Sequence, residues 1–423
     1  MNEKIAIELG QLIKHHRLQK KYKQDDLAIG ICTPSYLSRI ENGVVVADEA
    51  IYRLLLERLQ IDIDKYAGNQ QHLDEQLESI FEKILCHQKL TEHEVSLFSP
   101  FSQTTYLNAT SIKYDIVYCR YLLSLNEIKL ATKHLAKIQP FINWQSNRVT
   151  QMYLLTISNY YLLTEQYLAL IELNNQYQSN HFFIDTKRYE HAFYLYNLAF
   201  AYDRSYQYHL ALQYVNAARD SFTHHYSPLF QLNLYLLKAG IYNDLYQFDQ
   251  AIAEYDASLN LVRHVPNLQT ATQLSSIYNN LAYCYECQGA YSQAIEQYQK
   301  ALTYHTSSLT VINLIRTFYR NEEIENVKCY IEKYSELPTN ALHQQYQLEV
   351  IRYVTQENIE IATLKKLEEK ALAYFETQQY YSLVLFYAPL FAHLYKTIQA
   401  YKYASNCYER ALYASEKARE RMS

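Results

Sequence analysis

Glycine is almost absent from most of this chain. Of 423 residues only six are glycine and seven are proline, and beyond residue 68 glycine occurs only at Gly240 and Gly289. Strands joined by tight turns need these residues at the turns, so the composition predicts an all-α fold. The other four glycines lie within the first 68 residues, which indicates a change of architecture near that point.

A pattern of small and aromatic residues recurs through the glycine-poor part. It is clearest over residues 278–302, where Ala282, Gly289, Ala294 and Ala301 keep the spacing of a tetratricopeptide (TPR) repeat, a pair of helices A and B. The small residue of helix B recurs at 211, 251, 294 and 404, with weaker copies at 131, 170, 327 and 362. The first three are 40 and 43 residues apart. These gaps exceed the usual period of about 34 and predict long helices.

These patterns predict three segments. Residues 1–66 form a helix-turn-helix domain, 67–75 a linker, and 76–423 a TPR-like helical solenoid of about eight or nine helix pairs. Stacked pairs of this kind form a concave groove lined mainly by the A helices.

Residues 24–43 have the pattern of two short amphipathic helices joined by a turn at Gly30. Apolar residues at helical spacing form a seam between the helices and leave polar side chains free to face DNA. The seam consists of Leu27, Ala28, Ile31, Leu37 and Ile40.

This stretch closely resembles the DNA-binding domain of the phage-repressor (Xre/Cro) family over roughly residues 5–64. In that family the second helix enters the major groove, and the glutamine that opens the first helix touches a phosphate. We therefore expect base contacts from Thr33, Ser35, Tyr36 and Arg39. We expect phosphate contacts from Gln24, Ser38, Lys20, Lys21 and Lys23.

Charge is unevenly distributed. The chain has a net charge of −5, and residues 1–66 hold ten basic and ten acidic side chains. The domain is basic only locally, between residues 9 and 24, so tight binding by a single copy is not expected. This balance favours a homodimer that contacts two half-sites of an operator.

The cysteines and the absence of catalytic motifs bear on the cellular compartment and on enzymatic activity. Seven scattered cysteines, no secretory signal pattern and no run of 18 apolar residues predict a cytoplasmic, reduced protein without a membrane partner. Cys284 and Cys287 fall within helix A of the clearest repeat, where structural thiols are the expectation. Without a phosphate-binding glycine loop, a nucleophile elbow or a zinc motif, no cofactor or enzymatic activity is expected.

Asparagines recur at one place in the predicted A helices. Asn197, Asn280 and Asn313 each precede the first leucine of the pattern. An amide offers both a donor and an acceptor, which suits the backbone of an extended peptide, although such asparagines also cap local backbone. Side chains expected on the same concave side are Asn233, Asn243, Asn279, Tyr283 and Arg316. One of Arg316, Arg320, Arg204 and Arg120 is expected to take a carboxylate.

The combination of the two domains resembles the RRNPP superfamily, the peptide-pheromone receptors of Gram-positive bacteria (Rgg, Rap, Npr, Plc and Prg types). The Gly30–Gly43 stretch is closest to the Npr and Plc branches, and the repeat number favours the Npr-like branch. The resemblance implies a dimeric transcription regulator switched by a short imported peptide that asparagines grip by its backbone, as in quorum sensing. The alternatives are a TPR scaffold for a partner protein such as a phosphorelay response regulator, or a repressor whose array only oligomerises.

Overall fold

The computed structural model describes residues 3–61, 63–98, 109–142, 148–177, 188–222, 227–335, 341–355 and 359–422. All regular elements in these ranges are helices, which confirms the predicted all-α class, a helix-turn-helix domain followed by a TPR-like solenoid. None of the described helices has the length and apolar character needed to cross a membrane. The chain divides into two compact units, Met1–Gln166 with Leu173–Thr186, and Tyr167–Glu172 with Lys187–Ser423.

The first unit begins with four helices around a small core. They are α1 (Glu3–Gln19), α2 (Gln24–Ala28), α3 (Pro34–Glu41) and α4 (Glu49–Arg58). Leu27, Ala28, Leu37 and Ile40 are buried and Ile31 is partly buried against them, so the predicted seam is confirmed. Helices α1 and α3 touch so closely that a Cβ atom on Gly10 would collide with the Ile40 carbonyl oxygen.

The rest of the first unit is helical. Its helices are α5 (Ile63–Leu85), α6 (Glu92–Ser96), α7 (Ala109–Ser124), α8 (Ile128–Ile138), α9 (Arg148–Leu163) and α10 (Tyr167–Tyr177), the last of which the unit boundary divides. The predicted linker, 67–75, lies within α5 and is helical. A single glycine at Gly68 costs a helix only about 1 kcal/mol. Packing of α5 against α7 offsets that cost.

The described residues of the second unit form six helix pairs in A–B order. They are α11 (Arg188–Arg204) and α12 (Tyr208–Ser221), α13 (Pro228–Asp244) and α14 (Phe248–His264), α15 (Ala271–Gln288) and α16 (Tyr291–Tyr304), α17 (Ser308–Arg320) and α18 (Ile324–Lys333), α19 (Leu342–Val354) and α20 (Ile361–Thr377), and α21 (Tyr381–Thr397) and α22 (Tyr401–Met422). With α7–α10, the residues that the structure describes form eight helix pairs.

The small residue of helix B is buried in most repeats, as expected. Ala211, Ala251, Ala294 and Ala404 are all inaccessible or nearly so. The weak marker at residue 362 is wrong: that alanine is exposed, and Leu364 fills the buried position. A leucine fits there because the position needs an apolar side chain more strictly than a small one.

Candidate functional site

The second helix of the helix-turn-helix is held in place by local caps. Thr33 precedes α3 and its hydroxyl accepts a hydrogen bond from the Tyr36 backbone N–H at 3.2 Å, while Pro34 occupies the first helical position. From α4, Arg58 donates to the backbone carbonyls of Leu27 and Ile29. The turn between the two helices is therefore fixed by a residue that the motif alone did not point to.

Glu41 is the polar centre of this domain. Its buried carboxylate accepts two hydrogen bonds from Arg17, at 2.6 and 2.9 Å, and one from the Gln24 side-chain amide at 2.8 Å. Gln24 was expected to donate to a phosphate. Its N–H group is directed to Glu41 instead, because a buried carboxylate needs several donors. Contact with a phosphate would require this bond to open.

The exposed edge of α3 holds part of the predicted interface. Ser35 and Arg39 lie four residues apart on one helix face and are exposed. The Arg39 guanidinium makes no hydrogen bond or ion pair with any residue that the structure describes, so all its donors are available. Tyr36 is half-buried against the core, and Ser38 is half-buried beside Asn42. Both are less accessible than expected because their side chains lie closer to the packed face.

The lysines of the preceding turn differ from one another. Lys21 and Lys23 are exposed, and their ammonium groups are unpaired within the described ranges. Lys20 instead donates to the Leu59 carbonyl at 2.6 Å, at the end of α4. The turn thus presents two available cations and one that also holds the domain together.

In the second unit, two adjoining cavities open between the A helices. The first, about 400 Å³, lies among α11, α13, α14 and α15. The second, about 390 Å³, shares five lining residues with the first and extends to α21. We call the two together the groove. The shared residues are Asp203, Arg204, Asn243, Asp244 and Tyr283.

Four of the residues expected to bind a peptide are brought together here. Asn233, Asn243, Asn280 and Tyr283 all line the first cavity. Asn243 is buried, and its side-chain oxygen has no hydrogen-bond partner among the described residues. A buried carbonyl oxygen in this state can accept a hydrogen bond from a ligand N–H group without losing an existing bond.

The remaining asparagines do not line either cavity. Asn313 donates to the Asn279 side-chain oxygen at 3.3 Å, and Asn279 donates in turn to Asn280 at 3.3 Å. The side-chain amides of α17 and α15 are therefore joined in a row of hydrogen bonds. Asn280 is the member of this row that lines the groove. Asn197 is buried and lies outside the cavity linings.

Two of the four candidate carboxylate-binding arginines, Arg316 and Arg120, are engaged elsewhere. Arg316 forms a buried bidentate ion pair with Glu286, with both N–O distances at 2.8 Å. Arg120 belongs to the first unit, where it is buried and donates to the Leu155 carbonyl at 2.8 Å. Burial lowers the pKa of Arg120 to about 10. The expectation is corrected in both cases, since a buried guanidinium must find its partners inside the protein. Arg204, another of the four candidates, lines the groove.

The groove also contains two carboxyl groups that the sequence argument missed. Burial raises the pKa of Asp203 to about 7 and that of Asp244 to about 6. One Asp203 oxygen has no hydrogen-bond partner among the described residues, and the other lies 3.7 Å from Arg204. The repeat spacing could have found Asp203: Asp203 and Asn243 are 40 residues apart, the same interval that separates the small residues of their B helices.

The paired cysteines belong to the packing of this region. Cys284 is buried, and burial raises the pKa of its thiol to about 12. Cys287 is partly buried and lines the second cavity. Within the ranges that the structure describes, no three histidine, cysteine or acidic side chains are grouped as metal ligands.

Comparison with known proteins finds a repeat family and a transcription regulator among the proteins that this chain resembles. A tetratricopeptide-repeat family model matches residues 230–307. The chain is 25% identical over 402 residues to the transcriptional activator NprA of Geobacillus stearothermophilus, covering 90% of this chain and 97% of the relative. That relative is a transcription regulator, in line with the expectation that this chain is not an enzyme.

Solved structures share the fold. The apo form of the quorum sensor NprR from B. thuringiensis superposes with a TM-score of 0.65 at 16% identity, over 84% of this chain and 100% of that one. NprR in complex with its cognate peptide NprX gives a TM-score of 0.56 at 17% identity, over 81% and 98%. The predicted resemblance to Npr-type regulators is confirmed.

Proposed function

We propose that this protein is a cytoplasmic transcription regulator that binds operator DNA as a homodimer and is switched by a short signalling peptide bound in the groove. The observation that carries the proposal is the presence, on one chain, of a helix-turn-helix with an available arginine and of a groove lined by amides. Regulation of transcription is also the role of the activator NprA that the chain resembles.

The DNA-binding part rests on α3. Ser35 and Arg39 on its exposed face have the chemistry to contact base edges, and an arginine is the side chain best suited to guanine. Lys21 and Lys23 would contact phosphates, which adds affinity without sequence information. Thr33, Tyr36, Ser38, Gln24 and Lys20 remain proposed contacts, although each already makes contacts inside the domain.

The peptide-binding part rests on the groove. Asn233 and Asn243 on α13 and Asn280 on α15 present amides along two successive A helices, and a peptide backbone offers a matching donor and acceptor at each residue. The fold of NprR with its cognate peptide is shared by this chain, which supports a peptide as the occupant. We do not propose a role in peptide contact for Arg316, whose charge Glu286 already neutralises.

Switching is an equilibrium between arrangements of the two copies. A peptide bound between A helices favours the arrangement for which its affinity is greater, and only by the difference in affinity. Movement of one copy against the other changes the separation of the two α3 helices, which must match half-sites about 34 Å apart.

The test is a fluorescence-anisotropy titration of the full chain against the DNA upstream of its own gene. It is run with and without synthetic peptides encoded by small open reading frames beside that gene. Binding that weakens steeply as salt is raised, and that one peptide shifts, is the expected result. Binding that no peptide alters would favour a repressor whose array only oligomerises.

Absence of DNA binding at every salt concentration would overturn the proposal. The alternative is then a TPR scaffold without a peptide ligand. Affinity capture with a purified phosphorelay response regulator, in the presence and absence of the same peptides, tests whether the chain is such a scaffold.

A further inference from the structure

A separate cavity of about 240 Å³ lies in the second unit among α17, α18 and α19. None of its lining residues also lines the groove. Helix α18 has 10 residues, whereas the B helices α14 and α16 have 17 and 14. Tyr334 and Ser335 follow the end of α18 and line the cavity, where a longer B helix would continue. The early end of α18 thus leaves room for the cavity, which we call the side pocket.

The floor of the side pocket is apolar. Val311, Ile312 and Ile315 of α17 line it and are buried, and Ile331 of α18 lines it and is partly buried. Sites for drug-sized ligands are larger, about 300–1,000 Å³, and are also lined mainly by apolar side chains. The side pocket therefore suits a smaller ligand with one apolar side chain.

One wall of the side pocket is a tyrosine that is already held in place. The centre of the Tyr330 ring lies 5.1 Å from that of Phe318, and its hydroxyl accepts a hydrogen bond from the Gln299 side-chain amide at 3.4 Å. Because these contacts fix the ring without a ligand, binding requires little ordering of this wall.

Two opposite charges stand at the rim of the side pocket. Glu349 and Arg352 of α19 both line it, and both are exposed. They are three residues apart, which places their Cβ atoms about 5–6 Å apart on one helix face. Neither side chain makes a hydrogen bond or an ion pair with another residue that the structure describes. Both charges are therefore available to a ligand.

These three features match the three parts of a free amino acid. Its carboxylate and its ammonium group are bonded to the same carbon, so they can reach Arg352 and Glu349 together. Its side chain then points to the apolar floor. A residue inside a peptide has neither charge, and the last residue of a peptide has only the carboxylate. A free amino acid is therefore the ligand that uses the whole side pocket.

We propose that the side pocket binds a free α-amino acid with an apolar side chain, of which L-leucine is the representative. This site goes beyond the proposed function, since it shares no lining residue with the groove. It gives the second unit a small-molecule ligand in addition to a peptide.

The test is equilibrium dialysis of the full chain against radiolabelled L-leucine. Saturable binding of one molecule per chain is expected, with a dissociation constant of about 1 mM or lower. L-Leucinamide lacks the carboxylate and 4-methylpentanoate lacks the ammonium group. Each should compete only at about tenfold higher concentration than unlabelled L-leucine. L-Aspartate, whose side chain is charged, should not compete.

Variants of the rim locate the site. Arg352→Gln and Glu349→Gln should each raise the dissociation constant for L-leucine about tenfold. The matched control is Arg263→Gln on α14, an exposed arginine outside the side pocket and the groove, which should bind like the wild type. Circular dichroism checks that all three variants keep the helix content of the wild type, as expected for exposed positions.

Three results would overturn the proposal. The first is the absence of saturable binding, and the second is an unchanged dissociation constant in both rim variants. The third is N-acetyl-L-leucine, which imitates the last residue of a peptide, binding as tightly as L-leucine, because the side pocket would then hold a peptide end. DNA binding and its response to peptide are measured in separate titrations, so a failure here is distinguishable from a failure of the proposed function.

Discussion

Arg316 and Glu286 form a bidentate ion pair in the interior of the second unit, and the guanidinium carbon lies 5.8 Å from the centre of the Tyr283 ring. Arg320 adds a third contact to the same carboxylate at 3.2 Å. Burial opposes ionisation of Glu286, but the two arginines outweigh it and keep its pKa below the ordinary value. The ion pair thus lies beside Tyr283, a residue that lines the groove.

Removing one partner of this pair should be severely destabilising. Glu286→Gln leaves two arginines without their counter-charge, and we expect a loss of about 3–5 kcal/mol in the free energy of unfolding. Urea unfolding followed by circular dichroism measures it. The double variant Glu286→Leu, Arg316→Met should lose less than the sum of the single changes. Additive losses would show that the ion pair is not the source.

Asp203 should make the protein less stable as pH rises. Its folded pKa of about 7 exceeds the ordinary 3.8, so the folded state holds a proton that the unfolded state has lost. Stability therefore falls between about pH 4 and pH 7. Asp203→Asn removes this ionisation and should therefore stabilise the protein more at high pH. The gain in the free energy of unfolding is expected to be about 2–3 kcal/mol larger at pH 8 than at pH 5. The exposed Asp249→Asn is the control; an equal effect of the two would contradict the prediction.

Gly240 offers a way to fill the groove without disturbing the fold. It lines the first cavity on α13, and a Cβ atom built there meets nothing within 4 Å. Gly240→Leu should lower peptide affinity at least tenfold. Stability should stay equal or rise, because glycine inside a helix costs about 1 kcal/mol. Isothermal titration with the synthetic peptide that shifts DNA binding measures the affinity, and Gly240→Ala controls for the backbone effect. Unchanged affinity in the leucine variant would place the peptide elsewhere.

Asn280 lines the groove and ends the row of hydrogen-bonded side-chain amides that begins at Asn313. Asn280→Ala should weaken the response of DNA binding to the peptide while the unfolding temperature changes little. Anisotropy titrations with and without peptide measure the response. The comparable change Asn197→Ala, outside the cavity linings, should leave the response intact. A normal response in the Asn280 variant would remove the amide row from the site.

Arg39 should decide operator affinity. Arg39→Ala removes an exposed guanidinium that no described residue holds, so the expected loss is about 1–3 kcal/mol of binding free energy without loss of helix content. Anisotropy titration with the operator measures the binding free energy, and circular dichroism measures the helix content. Arg53→Ala on α4, exposed and paired with Glu49, serves as the control. An affinity equal to that of the wild type would exclude Arg39 from the interface.

Periodicity alone predicted much of the architecture. Scarce glycine, the small residues at 211, 251, 294 and 404, and the apolar seam around Leu27 and Leu37 determined the helices, the repeat and the turn, because these features depend on local spacing. The same spacing predicted that Asn233, Asn243, Asn280 and Tyr283 share one side of the array, and all four line the groove.

Only the tertiary structure decided which polar groups are available. Arg316 and Gln24 carry donors that sequence reasoning assigned to ligands, but Glu286 and Glu41 take them. Asp203 and Asp244 gained their raised pKa values from burial, which depends on how three A helices meet. The physical reason is the same in each case: a buried charge or amide must be satisfied by whatever long-range packing brings near it, and sequence spacing does not specify those neighbours.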